Sequence, residues 1–212
     1  MSWIDLRTGR VLWQKEIAIG SIPFQVDEFC VGMISPAPNT PASEEKFIPG
    51  QLQLFRLVDG QVLYDEPTQV PQRPSAVFAI VDDSQFYVIL SPEIILVGPP
   101  PDLRHEPFDR ILAGGRLLAF QRETAKALWS RPLENGFYQR TIRQGLPFLM
   151  LAPEIRNSTN RPERRILILN RTTGAEIFNK IEDSSFFPLV SPGPSSVDVH
   201  LLKQTLRFQP RP

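Results

Sequence analysis

One cysteine, Cys30, and two histidines, His105 and His200, are the whole supply of those residue types in 212 residues. A single thiol permits no internal disulfide, and Cys30 stands in an apolar, strand-like run. It therefore reads as a buried small hydrophobe and not as a nucleophile. Neither sign of charge is in excess: Lys plus Arg number 23 and Asp plus Glu number 23, so no global field recruits nucleic acid or an anionic membrane. No stretch reaches the ~18 apolar residues of a membrane-spanning helix. The chain opens Met1-Ser2-Trp3-Ile4-Asp5 without a basic region and apolar core, so no secretory leader is expected in it. A phosphate-cradling loop is excluded as well, because Gly114-Gly115 is not followed by Lys-Ser/Thr and precedes a strand-like run.

Proline and repetition are plentiful. The 22 prolines are about double the usual share, and they punctuate apolar runs, as expected if those runs are strands that reject proline centrally. Trp3 to Trp13 is the first of four imperfect copies of one unit, which align on Gly9, Gly60, Ala125 and Gly174 with steps of 51, 65 and 49 residues. Four positions after each anchor stands an aromatic: Trp13, Tyr64, Trp129 and Phe178. Three after it stands an aliphatic: Leu12, Leu63, Leu128 and Ile177. Four before it stand the polar residues Asp5, Arg56, Gln121 and Asn170, and one before it Thr8, Asp59, Thr124 and Thr173.

Each copy reads as a β-hairpin whose turn closes on a residue with positive φ, a position that favours glycine, with Asp, Asn or Thr bonding the turn amides. Ala125 departs from this pattern. An L-residue pays roughly 1 kcal/mol or more there, so the third copy is expected to bend by a different turn. The closing aromatics are expected to pack between neighbouring sheets.

Taken in order, the predicted hairpins lie near 3–17, 51–65, 115–131 and 165–180. Between them fall strand pairs at 22–26 with 29–34, 76–81 with 85–90, 137–142 with 146–151, and 186–190 with 197–202. A last short strand covers 205–208. Loop insertions are predicted at 36–50, 92–114 and 153–164, each after a strand that ends at a proline. The 92–114 segment is the best single candidate for a contact surface, unless Ile94 to Val97 adds a strand. A period near 50 residues with several short strands per period points to a propeller or solenoid. The strand count predicts an all-β single domain over 1–212: three complete four-stranded antiparallel blades with half a blade at each end. The halves either close on each other as a four-bladed ring or are cut edges of a larger propeller, and exposed edges require closure or a partner.

Candidate chemistry is sparse. Asp198 and His200, two apart in a strand, project to one face, but two ligands make no metal site, and the expected role is a structural or solvent-facing pair. His105, between Arg104 and Glu106, has no Ser or Cys partner and reads as surface loop. Arg156, Arg161, Arg164, Arg165 and Arg171, broken by Glu154 and Glu163, are expected to form a solvated loop face, since without interleaved aromatics the nucleic-acid case is poor. Asn157-Ser158-Thr159 and Asn170-Arg171-Thr172 match the glycosylation acceptor pattern; both read as coincidence, Asn170 being engaged by its turn. No catalytic residue, metal ligand or cofactor is assigned.

Asp5-Leu6-Arg7-Thr8-Gly9 with Val11-Leu12-Trp13, and Asn170 to Gly174 with Ile177-Phe178, resemble the repeat of pyrroloquinoline-quinone-like (PQQ-like) β-propellers. Arg56 to Tyr64 and Gln121 to Trp129 are looser copies. The resemblance implies a propeller whose closing aromatics dock between blades. Its members include quinoprotein dehydrogenases, which hold the quinone with calcium, and non-catalytic scaffolds such as the bacterial outer-membrane assembly lipoprotein. The dehydrogenases resemble one another in an adjacent cysteine pair and an acidic cluster around Ca²⁺. Here no second cysteine exists and no acidic ligand spacing stands out. The expected function is a non-catalytic scaffold that makes protein-protein or ligand contacts through its loops, with a protein partner or further blades. The alternative is a fragment of a quinoprotein oxidoreductase whose cofactor site lies elsewhere. Kinship implies a periplasmic or extracellular location.

Overall fold

The computed structural model describes residues 1–5, 7–37, 47–71, 76–91, 110–139, 146–156, 162–183, 188–193 and 196–209. Among these residues the fold is all-β and antiparallel, with no helix. Among the described residues no helix is long and apolar enough to cross a membrane. The chain divides into two compact units, one of 1–94 with 114–133 and the other of 95–113 with 134–212.

The first unit begins with the hairpin of β1 (Ser2–Ile4) and β2 (Val11–Gln14). A four-stranded sheet follows, formed in chain order by β3 (Ile22–Gln25), β4 (Cys30–Pro36), β5 (Phe47–Arg56) and β6 (Val62–Pro71). Next come β7 (Ala76–Val81) and β8 (Gln85–Ser91), with the near parts of β9 (Arg110–Gln121) and β10 (Ala127–Gln139).

Alternation decides what each face of the β3–β6 sheet buries, since successive residues of a strand point to opposite faces. Leu52, Leu54, Ile34 and Cys30 share a core with Phe86, Val88, Leu90, Leu118 and Phe120 of β8 and β9. On the opposite face Val31, Met33 and Phe55 are covered by Trp3, Trp13 and Leu57. Strand β4 is thus covered on both sides, which is why it reads as one continuous apolar run.

The second unit holds β11 (Phe148–Leu151), β12 (Glu154–Arg156), β13 (Pro162–Asn170), β14 (Glu176–Asp183), β15 (Leu189–Pro192), β16 (Val197–His200) and β17 (Thr205–Phe208). Strand β13 pairs with β14 on one side and with β11 and β12, in succession, on the other. β15, β16 and β17 form a three-stranded sheet. Phe148, Ile166 and Ile168 share a core with Val190, Val197, Val199 and Leu201.

All four repeat turns are built alike. The anchor amide donates to the carbonyl four residues back: Gly9 to Asp5 at 2.7 Å, Gly60 to Arg56 at 2.9 Å, Ala125 to Gln121 at 2.9 Å and Gly174 to Asn170 at 2.8 Å. A side-chain oxygen one residue before the anchor, on Thr8, Asp59, Thr124 or Thr173, accepts the amide one residue after it. Asp5 and Asn170 accept further turn amides.

Ala125 therefore does not bend differently, contrary to the sequence expectation. Its φ is 53° beside 68°, 70° and 68° at the three glycines. The same backbone bonds hold it there, and its fully buried methyl offsets part of a strain of about 1–2 kcal/mol.

The repeated aliphatic has a physical role as well. Trp3 pairs with Trp13 while Ile4 pairs with Val11, so Leu12 is an unpaired bulge residue. Leu63 and Ile177 occupy the same position in their hairpins. A bulge re-aims the neighbouring side chain, here the closing aromatic.

Three of those rings contact the next sheet along the chain. Trp13 lies 6.0 Å from Phe55 and donates its indole N–H to the Leu57 carbonyl at 2.7 Å. Tyr64 stands edge-on to Phe120 at 5.0 Å, and Phe178 packs on the core shared with β15–β17. Trp129 meets the ring of Tyr87 of β8, in its own sheet, at 6.0 Å.

Gly9→Ala and Gly60→Ala separate strain from contact. A Cβ at residue 9 has nothing within 4 Å, while one at residue 60 meets Trp13 Cγ and Cδ2 at 2.8 Å. Chemical denaturation is expected to show a loss of about 1 kcal/mol for the first and about 2 kcal/mol for the second. Equal losses would show that Trp13 yields freely.

Several predicted boundaries are corrected. Residues 47–50, 110–114, 154–156 and 162–164, read as loop, are strand. Residues 137–139 continue β10 instead of starting a new strand. Prolines 23, 67 and 71 lie within strands, which β3 and β6 tolerate as the end strands of their four-stranded sheet. Gly114-Gly115 is inside β9, not ahead of it.

Candidate functional site

In the first unit the turns at one end of the sheets converge on the Asp27 carboxylate, whose side chain is 5% exposed. Its Oδ1 accepts the amides of Phe29 and Cys30 at 2.8 and 2.9 Å, and its Oδ2 accepts Arg122 Nε at 3.0 Å. Arg122 Nη2 donates to Glu28 Oε1 at 3.2 Å, and the guanidinium lies 5.8 Å from the Phe29 ring centre. The hydrogen bond to Asp27 comes first, then the charges of Asp27, Glu28 and Asp83, in holding the Arg122 pKa above its usual value against desolvation.

Two backbone bonds fasten the same turns, from Leu57 N to Phe29 O at 2.8 Å and from Arg122 N to Ser84 O at 3.0 Å. Arg122 stands three residues before its anchor, where the fourth copy has Arg171 but the first two have Leu6 and Leu57, so the repeat carried only a weak signal for this residue.

Over this network lies an open groove of about 670 Å³. Leu12, Phe29, Leu57, Val58 and Leu63 supply its apolar lining, with Phe29 63% and Val58 66% exposed. Glu28, Asp83, Glu123, Arg56 and Arg122 supply the charge. Arg56 is already paired with Asp59 at 3.2 Å. Such a surface can hold an apolar side chain and orient it by charge. A smaller hollow of about 310 Å³ at 20–22, 34–36 and 70–71 is lined, among the described residues, by apolar side chains and the paired hydroxyls of Ser21 and Ser35, 2.8 Å apart.

Cys30 is 4% exposed within the core, as its apolar context predicted. Burial, and secondarily the Asp27 charge, push its thiol pKa up to about 12. Tyr64 is raised in the same way, by burial and by Glu66. The folded state therefore keeps the Cys30 proton that the unfolded chain releases above pH 9, so stability falls as pH rises from 9 towards 12. The slope is at most about 1.4 kcal/mol per pH unit from Cys30. Denaturation midpoints between pH 8 and pH 10.5 are expected to fall, with a shallower slope in Cys30→Ala. Alkylation at pH 8 is expected only under denaturing conditions; labelling of the folded protein would contradict the burial argument.

Asp198 and His200 share one face of β16, as expected, but not one ligand. Arg207 clamps both Asp198 oxygens at 2.8 and 2.7 Å, and this bond before all else holds the Asp198 carboxyl below its usual range. His200 Nδ1 lies 3.1 Å from Thr205 Oγ1. Each of the two thus has a partner on β17. Among the described residues no group of three His, Cys, Asp or Glu stands close enough to hold a metal ion.

The arginine-rich stretch is corrected. Arg164 is buried, opposite the buried Glu182 in the β13–β14 register, because residues 162–164 pair with β12 instead of forming a loop face. Arg165 pairs with Glu134 at 2.8 Å, and Arg171 donates to the Leu146 carbonyl. His105, Arg104, Glu106, Ile94 to Val97, Arg161 and Asn157-Ser158-Thr159 lie outside the described residues, as does the side chain of Arg156.

No family model matches the chain, and no curated protein matches it. Among solved structures the chain is similar to the computationally designed Ika4 protein, at 9% identity and a TM-score of 0.36, over 82% of this chain and 95% of that one. It is also similar to a europium-containing methanol dehydrogenase, at 14% identity and a TM-score of 0.37, over 84% of this chain. There it spans 37% of the enzyme's length.

Proposed function

We propose that the chain is a β-propeller built from PQQ-like repeats, three four-stranded blades with half a blade at each end of 1–212, and that it serves as a non-catalytic scaffold. Protein partners are held at the turn ends of the blades. One observation carries the reading: among the described residues, the candidate chemical side chains Asp27, Arg122, Asp198 and Cys30 are engaged in architecture, while the turns leave an apolar groove open. Asp27 and Arg122 fasten turns together, Asp198 is clamped by Arg207, and the Cys30 thiol is buried with a pKa near 12. The repeated turns and the rings seated on the following sheet support the propeller form.

Titration with pyrroloquinoline quinone plus calcium tests the scaffold reading. The absorbance of the free quinone is expected to persist on mixing, with no dye-linked alcohol oxidation. Stoichiometric quinone uptake would overturn it.

A further inference from the structure

We propose that the groove over Asp27 and Arg122 takes an extended segment of a partner protein that sets an aromatic or aliphatic side chain beside a lysine or arginine. This rests on the scaffold reading and specifies the partner's chemistry. Phe29 and Val58 are nearly two-thirds exposed, and Leu12 is 40% exposed, so an entering apolar group buries surface that the chain leaves open to water.

Charge selects what stands beside that group. Asp27, Glu28, Asp59, Asp83 and Glu123 bring five carboxylates to the groove and its ion pairs, against the two guanidinium groups of Arg56 and Arg122. Both guanidinium groups are engaged by carboxylates of the same turns. The excess is negative, so a basic side chain is attracted at the rim and an acidic one repelled.

Selection of a random octapeptide display library on the purified full chain tests this. The expected consensus is an apolar residue within two positions of Lys or Arg. A synthetic consensus peptide, followed by fluorescence polarisation, is expected to bind at least about tenfold more weakly to Val58→Asp and to Glu123→Lys. The same peptide should weaken as NaCl rises from about 50 to about 500 mM. Unchanged thermal unfolding of both variants checks that the exposed substitutions leave the fold intact.

An acidic or uncharged consensus, indifference to both substitutions, or no enrichment overturns the proposal. The two readings fail separately. A consensus without a basic residue that Val58→Asp still abolishes removes the charge selection and leaves the scaffold. Stoichiometric quinone uptake removes the scaffold whatever peptides are selected.

Discussion

Phe120→Ala is expected to lower stability by about 4 kcal/mol in equilibrium denaturation. The ring is fully buried, and its neighbours come from two sheets. Phe86, beside it in the same sheet, stacks on it at 5.1 Å with planes 13° apart. Tyr64, closing the second repeat from the β3–β6 sheet, meets it edge-on at 5.0 Å and 79°. Truncation therefore opens a cavity at the seam between sheets, where the flanking strands are held by their own ladders and cannot collapse inward. A cycle with Tyr64→Leu reads the wedge itself. The rings are expected to couple by about 1 kcal/mol, and strict additivity would mean that the seam does not depend on the repeated aromatic. Should Phe120→Ala fail to fold, Phe120→Leu carries the same cycle at a smaller loss.

That wedge was legible because it depends on spacing alone. A turn closed by a backbone bond across four residues places the ring four residues after the anchor, and any chain with this period exposes the pattern. What escaped reading depends on partners distant in sequence. Ala125 looked incompatible with the turn because intrinsic cost was the only term visible; its methyl's place in the core that the β3–β6 sheet shares with β8 and β9 exists only once the sheets stack. The prolines looked like strand ends because nothing in one run says that β3 and β6 are the end strands of their sheet. Arg164 looked solvated for the same reason: its place opposite Glu182 follows from a register that a charged run conceals. The groove was the least legible feature, since its lining comes from residues near 12, 29, 57 and 123, brought together only by the stacking.

Asp27→Ala is expected to cost about 3 kcal/mol, more than its partner's removal, because of what each deletion leaves behind. Asp27 serves three donors: two amides of its own turn and the Arg122 guanidinium. Taking it away orphans all three at a nearly buried position. Arg122→Ala instead leaves Asp27 still satisfied by both amides, and the arginine side chain is 26% exposed, so about 1 kcal/mol is expected. Asp27→Asn keeps an oxygen for the amides but loses the charge, and should fall between the two. The double variant Asp27→Ala with Arg122→Ala is expected to lose at least about 1 kcal/mol less than the sum of its parts, since an arginine already absent cannot be orphaned. Equal single losses that add would show that the turn amides find other acceptors. Loss of the peptide site in Asp27→Ala with its retention in Arg122→Ala would place the groove's rigidity in the turn itself, because only the first change releases the Phe29 amide and, with it, the ring lining the groove.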